Sequence, residues 1–110
     1  LEYANGELIL EILPVIDDFE RSLQHMEESE NDASHVEGVR LIYKKLLSSL
    51  ERRGLKPIDT VGEEFDPEQH QALMQVETDK VESGHIVEEH VKGYKLNDKV
   101  IRHSQVLVAK

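Results

Sequence analysis

The side chains able to do chemistry are unevenly spread along this chain. Four of its six histidines, His70, His85, His90 and His103, fall in the second half, and imidazole is both a general base and a common metal ligand. If the end of the chain folds as one hairpin, His90 faces Gln105 and His103 faces Lys92, on neighbouring rungs. A two-histidine surface site serving a metal- or acid-dependent hydrolase is the catalytic reading these residues offer. Against it, no H-E-x-x-H or comparable ligand spacing occurs, and Lys92 beside the pair repels a cation. None of the serines (Ser22, Ser29, Ser34, Ser48, Ser49, Ser83 and Ser104) sits in a nucleophile elbow. The glycines are scattered, with no G-x-x-x-x-G-K-[ST] or G-x-G-x-x-G run to cradle a phosphate, so no cofactor is implied. The absence of cysteine excludes thiolate catalysis, disulfides and Cys-based zinc sites. The carboxylates read as surface acids.

Recognition is the other chemistry available. Two apolar-rich strands, Ile86–Leu96 and Lys99–Ala109, flank Asn97-Asp98. Asn and Asp tolerate left-handed backbone and bond to their own main chain, so the pair suits a two-residue hairpin turn. Lys99 then stands at the rim of a tight hairpin, with Arg102 and His103 close behind. That tip is a candidate docking point.

The elements ahead of the hairpin must carry it. Apolar residues at Leu8, Ile9, Ile12, Leu13, Ile16, Phe19, Leu23 and Met26 recur in steps of three and four, which predicts an amphipathic helix. Pro14 lacks an amide donor and crowds the preceding turn, so a kink is expected there, or one helix ending and another starting. Glu27–Ser34 reads as a solvated acidic loop. Ser34-His35-Val36-Glu37 fits a capping box opening a second helix, which runs to about Arg53 with Val39, Ile42, Tyr43, Leu46, Leu47 and Leu50 on one face. Arg52 and Arg53 suit its negative end and Gly54 its C-terminal cap. Gly38, in the first turn, is unfavourable by roughly 1 kcal/mol relative to Ala, which a close contact would explain.

Two such helices leave part of their apolar seam open. Pairing with a second copy covers it in a four-helix bundle, so a homodimer is expected through Leu8, Ile12, Ile16, Phe19 and Leu23 on one helix and Val39, Ile42, Leu46 and Leu50 on the other. After Gly54 the composition turns to strands and corners. Leu55–Ile58 is a short strand held to an edge by Pro57, Asp59–Glu64 is turn-like, and Phe65-Asp66-Pro67 is a fixed corner. Gln71–Glu77 is strand or helical turn, and Thr78–Gly84 is a polar loop. The expected fold class is α+β: residues 1–54 a helical hairpin for dimerisation, residues 55–110 a small, mainly β domain for partner binding.

The net charge of −10 argues against nucleic acid and anionic membranes, and proteins are the expected partners. No apolar run approaches the roughly 18 residues that cross a bilayer. The chain opens on Leu1 rather than Met, which suggests a fragment or processed product.

Phe65-Asp66-Pro67-Glu68-Gln69-His70-Gln71-Ala72-Leu73, then nineteen residues, then Gly93-Tyr94, Asp98, Ile101-Arg102, Ser104, Val106 and Val108, resembles the signature of the GrpE family. Upstream, Leu10–Leu23 and Val36–Ile58 are similar to that family's bundle helices and the start of its β domain, so the resemblance covers Leu8–Lys110. It implies a homodimeric nucleotide exchange factor, not an enzyme, acting on a DnaK-type heat-shock chaperone, by default in the bacterial cytoplasm, with an organelle matrix the alternative. The long paired N-terminal helix of the family is almost wholly missing, Leu1–Leu10 standing for its end. Carried over by position, the resemblance implies His90, Lys99 and Val108 as chaperone-facing residues, with Gly38 a sensitive bundle position. Phe65, Tyr94, Ile101 and Val106 are implied as β-domain core, and Arg102 as an internal ion-pair partner or a contact. Lys99 stands where the family often has Arg, turning a bidentate contact into a point charge. A dimeric scaffold that binds a chaperone without changing ADP release is the remaining alternative.

Overall fold

The computed structural model describes residues 2–29 and 33–110 and divides into two compact units, Leu1–Arg53 and Gly54–Lys110. Unit one is a pair of helices, α1 (Glu2–Glu28) and α2 (Ala33–Arg52). Pro14 lies inside α1, so of the two expected outcomes, a kink or a helix end, the helix end does not occur. Proline leaves the carbonyl four residues earlier unbonded, here Leu10. Both Pro14 and Leu10 are exposed, which lets water take that carbonyl in place of the lost amide. The helix α2 begins at Ala33, so Ser34 lies inside the helix rather than at the position ahead of it that the capping box required. The acidic connection is shorter than expected, since α1 holds its helical form to Glu28; residues 30–32 of the expected loop lie outside the described residues.

The apolar stripe of α1 separates into two. Ile9, Leu13, Ile16 and Leu23 are buried, while Leu8, Ile12, Val15, Phe19 and Met26, one helical step aside, are exposed or half-buried. On α2, Val36 and Tyr43 are buried, Val39, Leu46, Leu47 and Leu50 are half-buried, and Ile42 is 65% exposed. The helices meet where the rings of Phe19 and Tyr43 stack at 5.3 Å between centroids. The Tyr43 hydroxyl donates to the Glu20 carboxylate, and Arg40 pairs with Glu27 across the same junction. Thus Ile16 and Leu23, expected in a dimer interface, are already covered within one chain; Leu8 (58% exposed) and Ile42 are not.

Unit two holds six strands in two sheets. One sheet has the order β1-β4-β5, antiparallel throughout, from β1 (Leu55–Pro57), β4 (Tyr94–Leu96) and β5 (Lys99–Arg102). The other has the order β2-β6-β3, from β2 (His70–Val76), β6 (Ser104–Ala109) and β3 (Ile86–Val91), with β2 parallel and β3 antiparallel to the central β6. The single long hairpin expected over Ile86–Ala109 is therefore divided. Its tip joins β1, its base joins β2, and the chain changes sheets at Lys92-Gly93 and at His103. Pro57 ends an edge strand, where its missing amide does no harm. Ile86, Val106 and Val108 form the core of the β2-β6-β3 sheet, with Phe65 packed against them, and Leu55, Ile58, Tyr94 and Leu96 are also buried.

Candidate partner-binding face

The hairpin tip is the best-defined projecting feature of the second unit. Asn97 and Asp98 adopt φ of 50° and 68°, the left-handed geometry of a tight turn, and pair Leu96 with Lys99. The turn is tied down from below. The Asn97 amide donates to the Gly54 carbonyl at 3.1 Å, and the Asn97 side chain lies over Gly54, where a Cβ would stand only 2.1 Å from Oδ1. Gly54 itself has φ +100°, so glycine is required there both by backbone and by space. Lys99 emerges exposed from this fixed turn, and no ion pair holds it among the described residues.

Arg102 is directed inward. Its Nε and a terminal nitrogen donate to the Lys92 carbonyl at 2.9 and 2.6 Å, and its guanidinium lies 5.6 Å from the centroid of the Tyr94 ring. The planar fork matches one carbonyl at the point where the chain leaves β3 for β4. These bonds give Arg102 an internal role through a main-chain carbonyl.

Two neighbouring positions complete the junction. The Gly93 amide donates to Ser104 Oγ at 3.1 Å, and Ser104 is fully buried. The corner before β2 is held by His70, only 2% exposed: Nδ1 accepts from the Asp66 amide at 3.0 Å, so Nε2 carries the proton and donates to the Asp59 carbonyl at 2.9 Å. Asp66 Oδ1 also accepts from the Glu68 amide at 3.0 Å, an Asx turn that fixes the Phe65–Pro67 corner.

The other expected site residues fall in different places. His90 is exposed on β3, but a bulge between Glu89 and Val91 sets Val91, not His90, opposite Gln105. The rung expected for His90 is therefore wrong by one residue, and its Nε2 lies 3.7 Å from the Glu88 carboxylate. His103 lies outside both strands and is exposed, which removes the neighbouring-rung geometry a two-histidine site needs. Val108 is 5% exposed in the sheet core and has no side-chain surface to offer a partner, which corrects its expected role as a direct contact. Gly38 belongs to α2 in the other unit; a Cβ there meets nothing within 4 Å, so no contact among the described residues explains it. Tyr94 and Val106 are buried, Phe65 packs against the core, and Ile101 is half-buried. The roles of Gly93, Ser104 and His70 went unassigned in the sequence; the glycine within a strand-like run was the one available signal of close backbone approach.

The arrangement fits recognition. Among the described residues no cluster of three or more His, Cys, Asp or Glu side chains is placed to hold a metal ion, and no helix is long and apolar enough to cross a membrane. The polar side chains of the second unit instead hold its loops and stiffen one projecting turn.

Comparison with known proteins identifies the fold's relatives. The GrpE family model matches residues 1–110. The chain is similar to the GrpE protein of Bacillus velezensis, 46% identical over 107 residues that cover 97% of this chain and 56% of that protein. It is 45% identical to Protein GrpE of Bacillus cytotoxicus, covering 97% of this chain and 54% of that one, and 44% identical to Protein GrpE of Bacillus pumilus, covering 97% and 58%. The chain thus spans little more than half the length of these curated relatives, and over that span it belongs to the GrpE family.

Proposed function

We propose that this chain acts as a nucleotide exchange factor: the second unit binds the nucleotide-binding domain of a DnaK-type chaperone, favours the open form of its cleft, and speeds release of ADP. Family membership supports the class of function, and the observation that carries the contact is Lys99, exposed and without an ion pair among the described residues, on a turn locked to Gly54. A stiff tip loses little entropy on docking, which favours binding through a small area. His90, exposed on β3, is a second contact under this reading, and Gly38 marks a contact of the helical unit.

The mechanism is one of linkage. A factor that binds the open state better than the closed one shifts the chaperone toward it, whereas nucleotide favours closure. Each therefore weakens the other, tenfold for about 1.4 kcal/mol of coupling, and rebinding ATP expels the factor. No bond is made or broken by the factor. The working form is a cytoplasmic homodimer in which the exposed stripes around Leu8, Ile12, Val15, Phe19, Val39, Ile42 and Leu46 meet those of a second copy.

Stopped-flow release of a fluorescent ADP analogue from a DnaK-type chaperone tests the reading. Release accelerates with this chain, and Lys99→Ala removes most of the acceleration while leaving the thermal melt unchanged. A folded chain that binds the chaperone without altering release would instead be a scaffold.

A further inference from the structure

The two sheets of the second unit divide its charges by sign. The strands of the β1-β4-β5 sheet carry Lys56, Lys95, Lys99 and Arg102 and no acid, whereas those of the β2-β6-β3 sheet carry Glu88 and Glu89 and neither Lys nor Arg. This happens in a chain where 23 acids face 13 Lys and Arg, so a random strand residue is more often acidic than basic. Within the basic sheet the register sets Lys56 directly opposite Lys95, and Lys95 opposite Val100. Directly opposed residues of an antiparallel pair project on the same face, so the two ammonium stems run side by side. Lys56 is exposed and Lys95 half-buried, and neither forms an ion pair among the described residues. Like charges directly opposed destabilise a sheet, and an acid at either position would relieve the repulsion.

We infer that the Lys56–Lys95 pair forms a cationic steering face for an acidic patch on the chaperone's nucleotide-binding domain, separate from the Lys99 tip. The inference rests on the exchange-factor reading for the identity of the partner. The chemistry of the surface selects an anionic protein face. The chain as a whole is strongly acidic and repels an acidic partner at long range, so a sheet cleared of acids gives approach one favoured orientation. Lys99 belongs by register to the other side of its strand, opposite Leu96, and reaches the partner from the rim. Lys56 and Lys95 act earlier, on the rate of encounter, because exposed charges contribute more to steering than to the lifetime of a complex.

The substitution Lys56→Glu separates this role from a structural one, because it changes stability and association in opposite directions. It converts an opposed pair of like charges into an ion pair, so the melting temperature rises by about 2 °C. Association with a DnaK-type chaperone, followed by stopped-flow fluorescence at low ionic strength, slows about fivefold, with dissociation nearly unchanged. At 0.5 M salt the difference falls below about twofold as the charges are screened. Lys56→Glu combined with Lys95→Glu slows association further, about twentyfold, and gives up the gain in stability. An unchanged association rate for Lys56→Glu at low salt, or a deficit that persists undiminished in high salt, would overturn the inference while leaving the exchange-factor reading standing. Failure of the unsubstituted chain to bind the chaperone at all would overturn both.

Discussion

Gly93 and Ser104 are pressed together where the chain changes sheets: the Gly93 amide donates to Ser104 Oγ at 3.1 Å, and a Cβ on Gly93 would lie 2.3 Å from the Ser104 amide nitrogen and 2.8 Å from the Arg102 carbonyl oxygen. Main-chain atoms on the facing segment cannot swing aside as a flexible side chain can, so this crossing admits only hydrogen at the α-carbon. The contact joins the start of β4 to the start of β6, and through them the two sheets.

Gly93→Ala is therefore expected to destabilise the second unit by about 3 kcal/mol, at the upper end for overpacking. Ser104→Ala leaves the Gly93 amide without its buried acceptor and costs about 1–2 kcal/mol. Urea unfolding followed by far-ultraviolet circular dichroism measures both. A neutral Gly93→Ala would show that the two segments can part without loss.

Arg102→Lys tests whether this cation supports the fold or touches a partner. A lysine keeps the charge but offers a single ammonium to the Lys92 carbonyl and loses the guanidinium's cation–π approach to Tyr94. Stability should fall by about 1–2 kcal/mol, while ADP release per folded molecule, measured well below the melt, stays at the unsubstituted rate. A loss of exchange in fully folded Arg102→Lys would place the guanidinium in the contact itself.

The helical unit makes a separate prediction. Ile42 is 65% exposed beside the half-buried Val39 and Leu46, so a charge there costs little within one chain and, in the proposed homodimer, much between copies. Ile42→Glu is expected to weaken self-association by at least 2 kcal/mol, roughly thirtyfold in the dissociation constant. Sedimentation equilibrium reads this directly. Dimers of undiminished strength in Ile42→Glu would move the interface away from this stripe.

Much of the fold was legible because its determinants are local. The Asn97-Asp98 turn could be read from two residues, since its left-handed geometry depends on their own side chains and not on distant packing. Both helices followed from apolar spacing, and Gly54 from the rule that a left-handed residue closes a helix. Errors arose where a local rule met a solvated exception. Of the two outcomes expected at Pro14, a kink or a helix end, the second does not occur: α1 continues through it, on an exposed face where solvent can reach the carbonyl that loses its amide partner.

By itself the sequence determined the two long helices, which turn carries a cation, and that no familiar catalytic or metal-binding motif is present. It also carried the family signature. Only the tertiary structure decided that one apparent hairpin serves two sheets, that β2 runs parallel to β6, and that a bulge moves His90 off its rung. It likewise turned Arg102 and Val108 inward and set Lys56 against Lys95. The reason is separation along the chain. Strand partners tens of residues apart are chosen by which pairing buries Ile86, Val106 and Val108 together while bonding the Gly93 and Ser104 amides at the crossing, and that choice is a property of the whole second unit.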